Sequence, residues 1–477
     1  MMAMQTSCKK SFFDVNVDPN SPLDVPPRTL LPTATVGIGF SNGNELGKVA
    51  ALLMQYNAGV SGLSLTTDTW VLASTDNQWN GEIFGAALVN LNTLIKKTEA
   101  FSPAYSGIAK LEKAYIMSLT TDLYGDVPYT EAGQGLTNKQ PKFDAQQDIY
   151  LGNTAKGVTS LFNLVRSGMN DLTRAATATV LRPTTDDLVY GGTLSSWTRV
   201  GNSLLLKFAL QVSNVAPDTT RNVINSILSS AAPYIDDAAY DLNVPFSTSN
   251  PNPYYQQDVS GSIPNTQMLS NRFLALMRNQ NDSLRLSKYY TKPAATFIGY
   301  DNGSPFAAPT AANRSLYGTY VFGPLNAQGS APIRLLTSFQ SAFILAESAL
   351  RFSTTGDPNT YYQAGIRRAM TAAGLTTAQI DAYFLANPTI VTLTGTTADK
   401  LKQIITQKYI ASVGNAIESY NDYRRTGYPV LTNPLTTAGD DPATFPKRYP
   451  YVTSEGSANP NQPNPRPLTN VKVWWGL

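Results

Sequence analysis

The stretch "TDLYGDVPYTEAGQG", Thr121 to Gly135, gathers Asp122, Asp126 and Glu131 around one proline, three glycines and two tyrosines. Two carboxyls about 5 to 10 Å apart in a sugar-shaped cleft would be the equipment of a glycoside hydrolase. The same residues also suit a demanding corner. Asp122 and Asp126 follow a helical run, at the end where the macrodipole disfavours negative charge. Turn amides near Gly125 could offset them, as could the Arg424–Arg425 pair of "YRRTGYP", because guanidinium groups match carboxylates bidentately. Acids paired in that way stay ionised and leave no proton donor. The expectation is therefore a structural staple of Asp122, Tyr124, Gly125, Asp126, Pro128, Tyr129, Arg424 and Arg425, with no catalytic residue.

Other chemistry is scarce. The chain contains no histidine, which removes imidazole triads and imidazole metal ligands together. Its one cysteine, Cys8, allows neither an internal disulfide nor a cysteine-cluster zinc site. "DVNVDPN", Asp14 to Asn20, imitates the opening of an EF-hand loop but lacks the loop glycine and the distal glutamate, and reads as an extended tether. "GIGFSNG" near Gly37 has no P-loop lysine and reads as a flexible loop. No cofactor or metal is expected. With 36 basic and 33 acidic residues and no basic run, nucleic acid is not an expected partner. Charged residues make up only 14% of the chain, so its surface is solubilised by neutral polar groups, which suits an uncharged ligand.

Sugars present apolar C–H faces, on which aromatic rings stack while amides and carboxylates bond the hydroxyls. The 25 tyrosines are a generous supply. Tyr115 and Tyr409 lie on apolar helical stripes, Trp79 and Trp197 open helices, and Trp474 and Trp475 are placed to dock the C-terminus. The rings in polar, non-periodic surroundings are Trp70, Tyr254, Tyr255, Tyr317 and Tyr320. These five are the candidate ligand contacts, and packing of their loops against the scaffold is the competing role for each.

The elements that must carry these residues are mostly helical. Ile108, Leu111, Tyr115 and Leu119 recur at steps of three or four, as do Leu336, Phe339, Phe343, Ala346 and Leu350. Asp144 with Gln147 three residues on predicts a capping box before the next helix. Helix pairs are expected over about 79–125, 144–214 and 332–425, with long loops over about 245–265, 291–330 and 429–470. Such pairs predict a mostly α, TPR-like or solenoid-like scaffold with a few short strands. No strict 34-residue repeat is present, so any array is irregular. Residues 1–22 read as a tether and 23–477 as one domain without a clean internal boundary. No run of about 18 apolar residues offers a membrane-spanning helix.

At this point the chain resembles a known family. "YGDVPYTEA" is similar to the signature turn of SusD/RagB-like nutrient-binding outer-membrane lipoproteins. "SCKKSFFDVNVDPNSP", "PKFDAQQDIY", "WTRVGNSLLLKFALQVSN", "FILAESALRF", "YYQAGIRRAM", "QKYIASVGNAIESYNDYRRTGYP" and "PKRYPY" follow in that family's order, from end to end. The resemblance implies TPR-like helix pairs, with loops on one side forming the ligand surface. It implies an oligosaccharide or oligopeptide ligand, no chemistry, and a SusC-like TonB-dependent transporter as partner. It also implies a lipid anchor on Cys8 at the surface of the outer membrane. The leucine expected three positions before an acylated cysteine is missing from "QTS", which we read as a truncated start. Two further readings are a carboxylate-based glycoside hydrolase and a ligand-free helical scaffold.

Overall fold

A computed structural model describes residues 25–477 except Ile263 and Pro442. Cys8 and the Asp14–Asn20 segment lie outside the described residues. The long helices pack in pairs. Helix Pro103–Tyr124 packs against helix Leu161–Thr177, and the latter against helix Leu194–Gln211. Helix Ser338–Phe352 packs against helix Pro358–Ala372 and against helix Thr397–Ala411. Helix Ala416–Thr426 crosses to helix Glu45–Leu53 near the N-terminus. The apolar stripes give the reason. Ile108, Leu111, Tyr115 and Leu119 are all buried, and one hydrophobic cluster reaches from Leu30 to Trp475. Among the described residues no helix is long and apolar enough to cross a membrane.

Three two-stranded antiparallel ribbons tie distant segments together. Asn57–Gly59 pairs with Gln267–Leu269, Val127–Pro128 with Phe143–Asp144, and Leu242–Val244 with Ile333–Leu336. The last ribbon corrects the helical stripe read from Leu336. Thr337 forms a capping box with Gln340 and starts the helix at Ser338, so Leu336 is buried on a strand.

Three further local readings change. "GIGFSNG" is not a loop but the last turns of helix Pro27–Gly43. Its glycines serve close packing: a Cβ on Gly37 would lie 2.8 Å from that of Ala86, and one on Gly39 would lie 2.9 Å from Val244. The expected helix at "QWNGEIFGAAL" is π-helical from Gln78 to Leu88 before it continues as α-helix Val89–Thr98. Asp144 does not cap the helix Gln146–Leu151, because its carboxylate is taken by the amide and hydroxyl of Thr130, both at 2.8 Å. Asp126 supplies that end instead, accepting from the amide of Gln146 at 2.8 Å.

Candidate functional site

The acidic corner is built around a buried carboxylate. Asp122 Oδ1 accepts from the Tyr150 hydroxyl at 2.8 Å and from the Trp475 indole at 2.9 Å, and Oδ2 accepts from the Asn421 amide at 3.2 Å. The Arg pair acts differently from expectation. Arg424 donates to the backbone carbonyl of Asp122 at 2.6 Å, not to its carboxylate, and its guanidinium lies 3.9 Å from the ring centre of Tyr420 and 4.8 Å from that of Trp475. Arg425 turns away and forms a bidentate pair with Glu347, with Asp422 as a further acceptor. The helix-end carbonyls need a donor as much as the acids need a counter-charge, and Arg424 meets that need. Gly125 ends the helix at φ +88°, where a Cβ would lie 2.9 Å from Arg448. Tyr124 bonds Thr75 at 2.6 Å, Tyr129 is buried beneath Lys113, and Pro128 sits in the ribbon.

Burial pushes the Asp122 carboxyl up to about 6, against the pull of Lys207 and Arg424. Asp126 is exposed. Asp122 is enclosed by its three donors and only Asp126 reaches solvent, so the corner does not present a pair of carboxyls to a substrate.

Four of the five candidate rings lie inside the protein. Trp70, Tyr254, Tyr317 and Tyr320 are each no more than 5% exposed, so they offer no face to a ligand. Tyr317 stacks on Tyr290 at 5.4 Å and meets Tyr254 edge-on at 5.8 Å. Tyr320 packs on Tyr289 and carries the Arg334 guanidinium 3.7 Å from its ring centre. Trp70 has φ +73°, an uncommon conformation for a bulky residue, held by its amide on the Thr67 carbonyl and by the contact of its ring with Phe445. Tyr255 is half-buried against Phe322. Tyr254 and Tyr320 sit in the short helices Pro253–Tyr255 and Thr319–Phe322, and Trp70 follows helix Gly62–Asp68; each ring packs inward and consolidates the segment that carries it.

At another place three segments are hydrogen-bonded into one face. Asp68, at the end of helix Gly62–Asp68, accepts from the Asn302 amide at 2.6 Å and from the Gly303 backbone at 2.7 Å. Asn302 also holds the Asn57 carbonyl and the Ser270 hydroxyl. The 430–440 segment is bonded to both: Leu435 N to Asn302 O, Thr436 Oγ1 to Gly303 O, and Ala438 N to Thr69 O. Gly303 has φ +65° and no room for a side chain between Pro434 and Thr436. Burial pushes the Asp68 carboxyl up to about 7.

These segments leave apolar side chains in water. Leu63, Leu65 and Val71 come from the first, Phe306 from the second, Val430 and Leu435 from the third. Their neighbours in sequence, Thr66, Thr69, Ser304 and Thr436, are neutral and polar. Sequence reasoning missed these residues because it weighed tyrosines and tryptophans in polar surroundings. For Phe306, Val430 and Leu435 the available signal was an apolar side chain set among Pro, Gly, Ser and Thr in segments read as loops; residues 62–72 carried no such mark. Among the described residues no cluster of acids, Cys or His could hold a metal.

Comparison with known proteins agrees with this architecture. A family profile described as "SusD-like: starch-binding associating with outer membrane" matches residues 19–452. A search of curated proteins gave no match. Among solved structures, a chitin-binding SusD homolog from Flavobacterium johnsoniae superposes with a TM-score of 0.77 at 20% identity, covering 95% of this chain and 97% of that one. A SusD homolog from Bacteroides fragilis gives 0.75 at 23% identity, over 91% and 94% of the two chains. At such identities the likeness shows the fold: a SusD-like scaffold of helix pairs. With the profile spanning nearly its whole length, the chain belongs to the SusD-like family of outer-membrane-associated binding proteins.

Proposed function

We propose that the protein captures an oligosaccharide at the cell surface on the face formed by 62–72, 297–310 and 430–440. It then passes the ligand to a SusC-like TonB-dependent transporter. In this reading an acylated Cys8 and the residues after it tether the protein to the outer membrane. The observation that carries the proposal is the three-segment face: exposed apolar side chains beside Thr66, Thr69, Ser304 and Thr436, on a base fixed by Asp68. The chitin-binding SusD homolog of the same fold supports a glycan, as does the sparse charge of the chain. The protein binds and does not cleave; its one buried acid at the signature turn is enclosed by Tyr150, Asn421 and Trp475.

One observation favours a second reading. Five of the six exposed side chains are aliphatic and only Phe306 is a ring, a composition that suits an oligopeptide with apolar side chains. Calorimetry with a panel of soluble oligosaccharides and mixed oligopeptides separates the two. Binding of a glycan that Phe306→Ala weakens supports the first; binding of peptides alone supports the second. Binding of neither by the tethered protein, with or without its co-purified transporter, removes both.

A further inference from the structure

A concavity elsewhere in the protein shares no residue with the loop face. It runs along helix Pro27–Gly43, between Val36 and Phe40 of that helix and the 245–260 segment, and encloses about 750 Å³. An adjoining space of about 460 Å³ shares Val36 and Phe40 and reaches Glu82 of the π-helical segment. The two form one elongated groove, and the larger part alone falls within the usual size of a small-molecule site.

Its chemistry is specific. Phe40 and Phe246 meet edge-to-face with centroids 5.9 Å apart, and both rings are partly exposed. Gly39 makes this approach possible, because a Cβ there would lie 3.4 Å from the Phe246 ring and 2.9 Å from Val244. Along the 245–260 side stand the exposed Ser249 and Asn250 and the amide of Gln256. No Lys or Arg lines either part. The one ionisable side chain is Glu82, whose Oε1 accepts from Asn44 and whose buried Oε2 has no partner.

Rings and aliphatic carbons offer a surface for the C–H faces of a pyranose, while hydroxyls and amides at the rim match its own hydroxyls. A uronate or sulfated sugar would meet Glu82 and find no counter-charge. We infer that this groove is a second carbohydrate site, which takes a short neutral oligosaccharide independently of the loop face.

The test uses the full chain with chitohexaose, maltohexaose and cellohexaose, and with a hexamer of galacturonate as the charged counterpart. Hydrogen–deuterium exchange locates binding and calorimetry measures it. At least one neutral hexamer is expected to protect amides of 245–260, and the galacturonate hexamer to protect none. Phe246→Ala and, separately, the exposed Asn250→Ala should weaken that binding tenfold or more. Phe306→Ala should leave it unchanged, so that loss of protection at 297–310 alone speaks only to the loop face. Absence of protection at 245–260 with all three neutral hexamers overturns the inference. So does wild-type affinity at that segment in both groove variants.

Discussion

The indole N–H of Trp475 donates to Asp122 Oδ1 at 2.9 Å, bonding the C-terminal tail to the end of helix Pro103–Tyr124. The tail returns the contact, for the Leu477 amide donates to the carbonyl of Arg424 at 2.8 Å, and Arg424 itself holds the Asp122 carbonyl. The signature turn is thus closed by residues some 300 positions away. A buried acid at a helix C-terminus is unfavourable in isolation and is tolerated here because three side-chain donors converge on it.

Asp122→Ala would leave the Tyr150 hydroxyl, the Trp475 indole and the Asn421 amide without their acceptor. At about 1–3 kcal/mol for each stranded donor, the variant should lose about 3 kcal/mol or more in urea unfolding. Ligand binding measured on the remaining folded protein should be unchanged. A loss of affinity at constant stability would instead make the corner a ligand site.

Glu347 gives the opposite electrostatic case. Burial alone would raise its carboxyl, but the Arg425 guanidinium, with Arg351 and Lys408, holds it at about 2, below the ordinary 4.5. A depressed folded-state pKa contributes stability above about pH 4.5 that is lost as pH falls toward 2. Glu347→Gln should therefore flatten that limb of the acid-unfolding curve. It should also cost about 3–5 kcal/mol near neutrality, since Arg425 stays buried with Asp422 as its remaining acid.

The helical scaffold was legible in the sequence because its stripes repeat at helical spacing and its stops are Gly and Pro, as at Gly125 and Pro128. The ribbon at Ile333–Leu336 was not, since Leu335 and Leu336 continue the apolar run of the helix that follows and only the Thr337 cap divides them. Nor was the turn to helix in "GIGFSNG", where glycine propensity argues for a loop and close packing on Ala86 overrides it. The five candidate rings show the limit most clearly. Local polarity set Tyr254 and Tyr317 apart from the long helices, yet Tyr254 sits in a short helix and packs on Tyr317, which stacks on Tyr290, partners that no sequence spacing announces.

The buried rings carry their own prediction. Tyr317→Ala removes a side chain that stacks on Tyr290 and touches Tyr254 and Phe322. Loss of about 3–5 kcal/mol is expected from a large-to-small change in such a core. The thermal midpoint should fall by several degrees, whereas a ring on a ligand platform would lose affinity and keep its midpoint.

Phe306→Ala should behave in the reverse way. The ring is 77% exposed, so stability should stay within about 0.5 kcal/mol of the parent. Affinity for the captured ligand should fall tenfold or more, because an exposed ring on a fixed loop is the anchor that such a face can offer. Leu325→Ala, equally exposed but outside the three segments, serves as the control and should change neither quantity.

Asp68 connects the face to pH. Burial holds its carboxyl at about 7, far above the 3.8 of an ordinary aspartate, although Asn302 and Gly303 pull it down. Between those values the folded protein keeps a proton that the unfolded chain has shed. The group's favourable contribution is therefore complete at low pH and is lost as pH rises through about 7. Amide protection in 297–310 and 430–440, corrected for intrinsic exchange, should decline as pH rises from about 4 to about 7 and level off above that. Asp68→Asn fixes an uncharged side chain at that position and should abolish the decline, while Asp68→Ala should lower protection at every pH and weaken ligand binding with it. A pH dependence that persists in Asp68→Asn would assign the effect to another group and detach the Asp68 carboxyl from the control of the face.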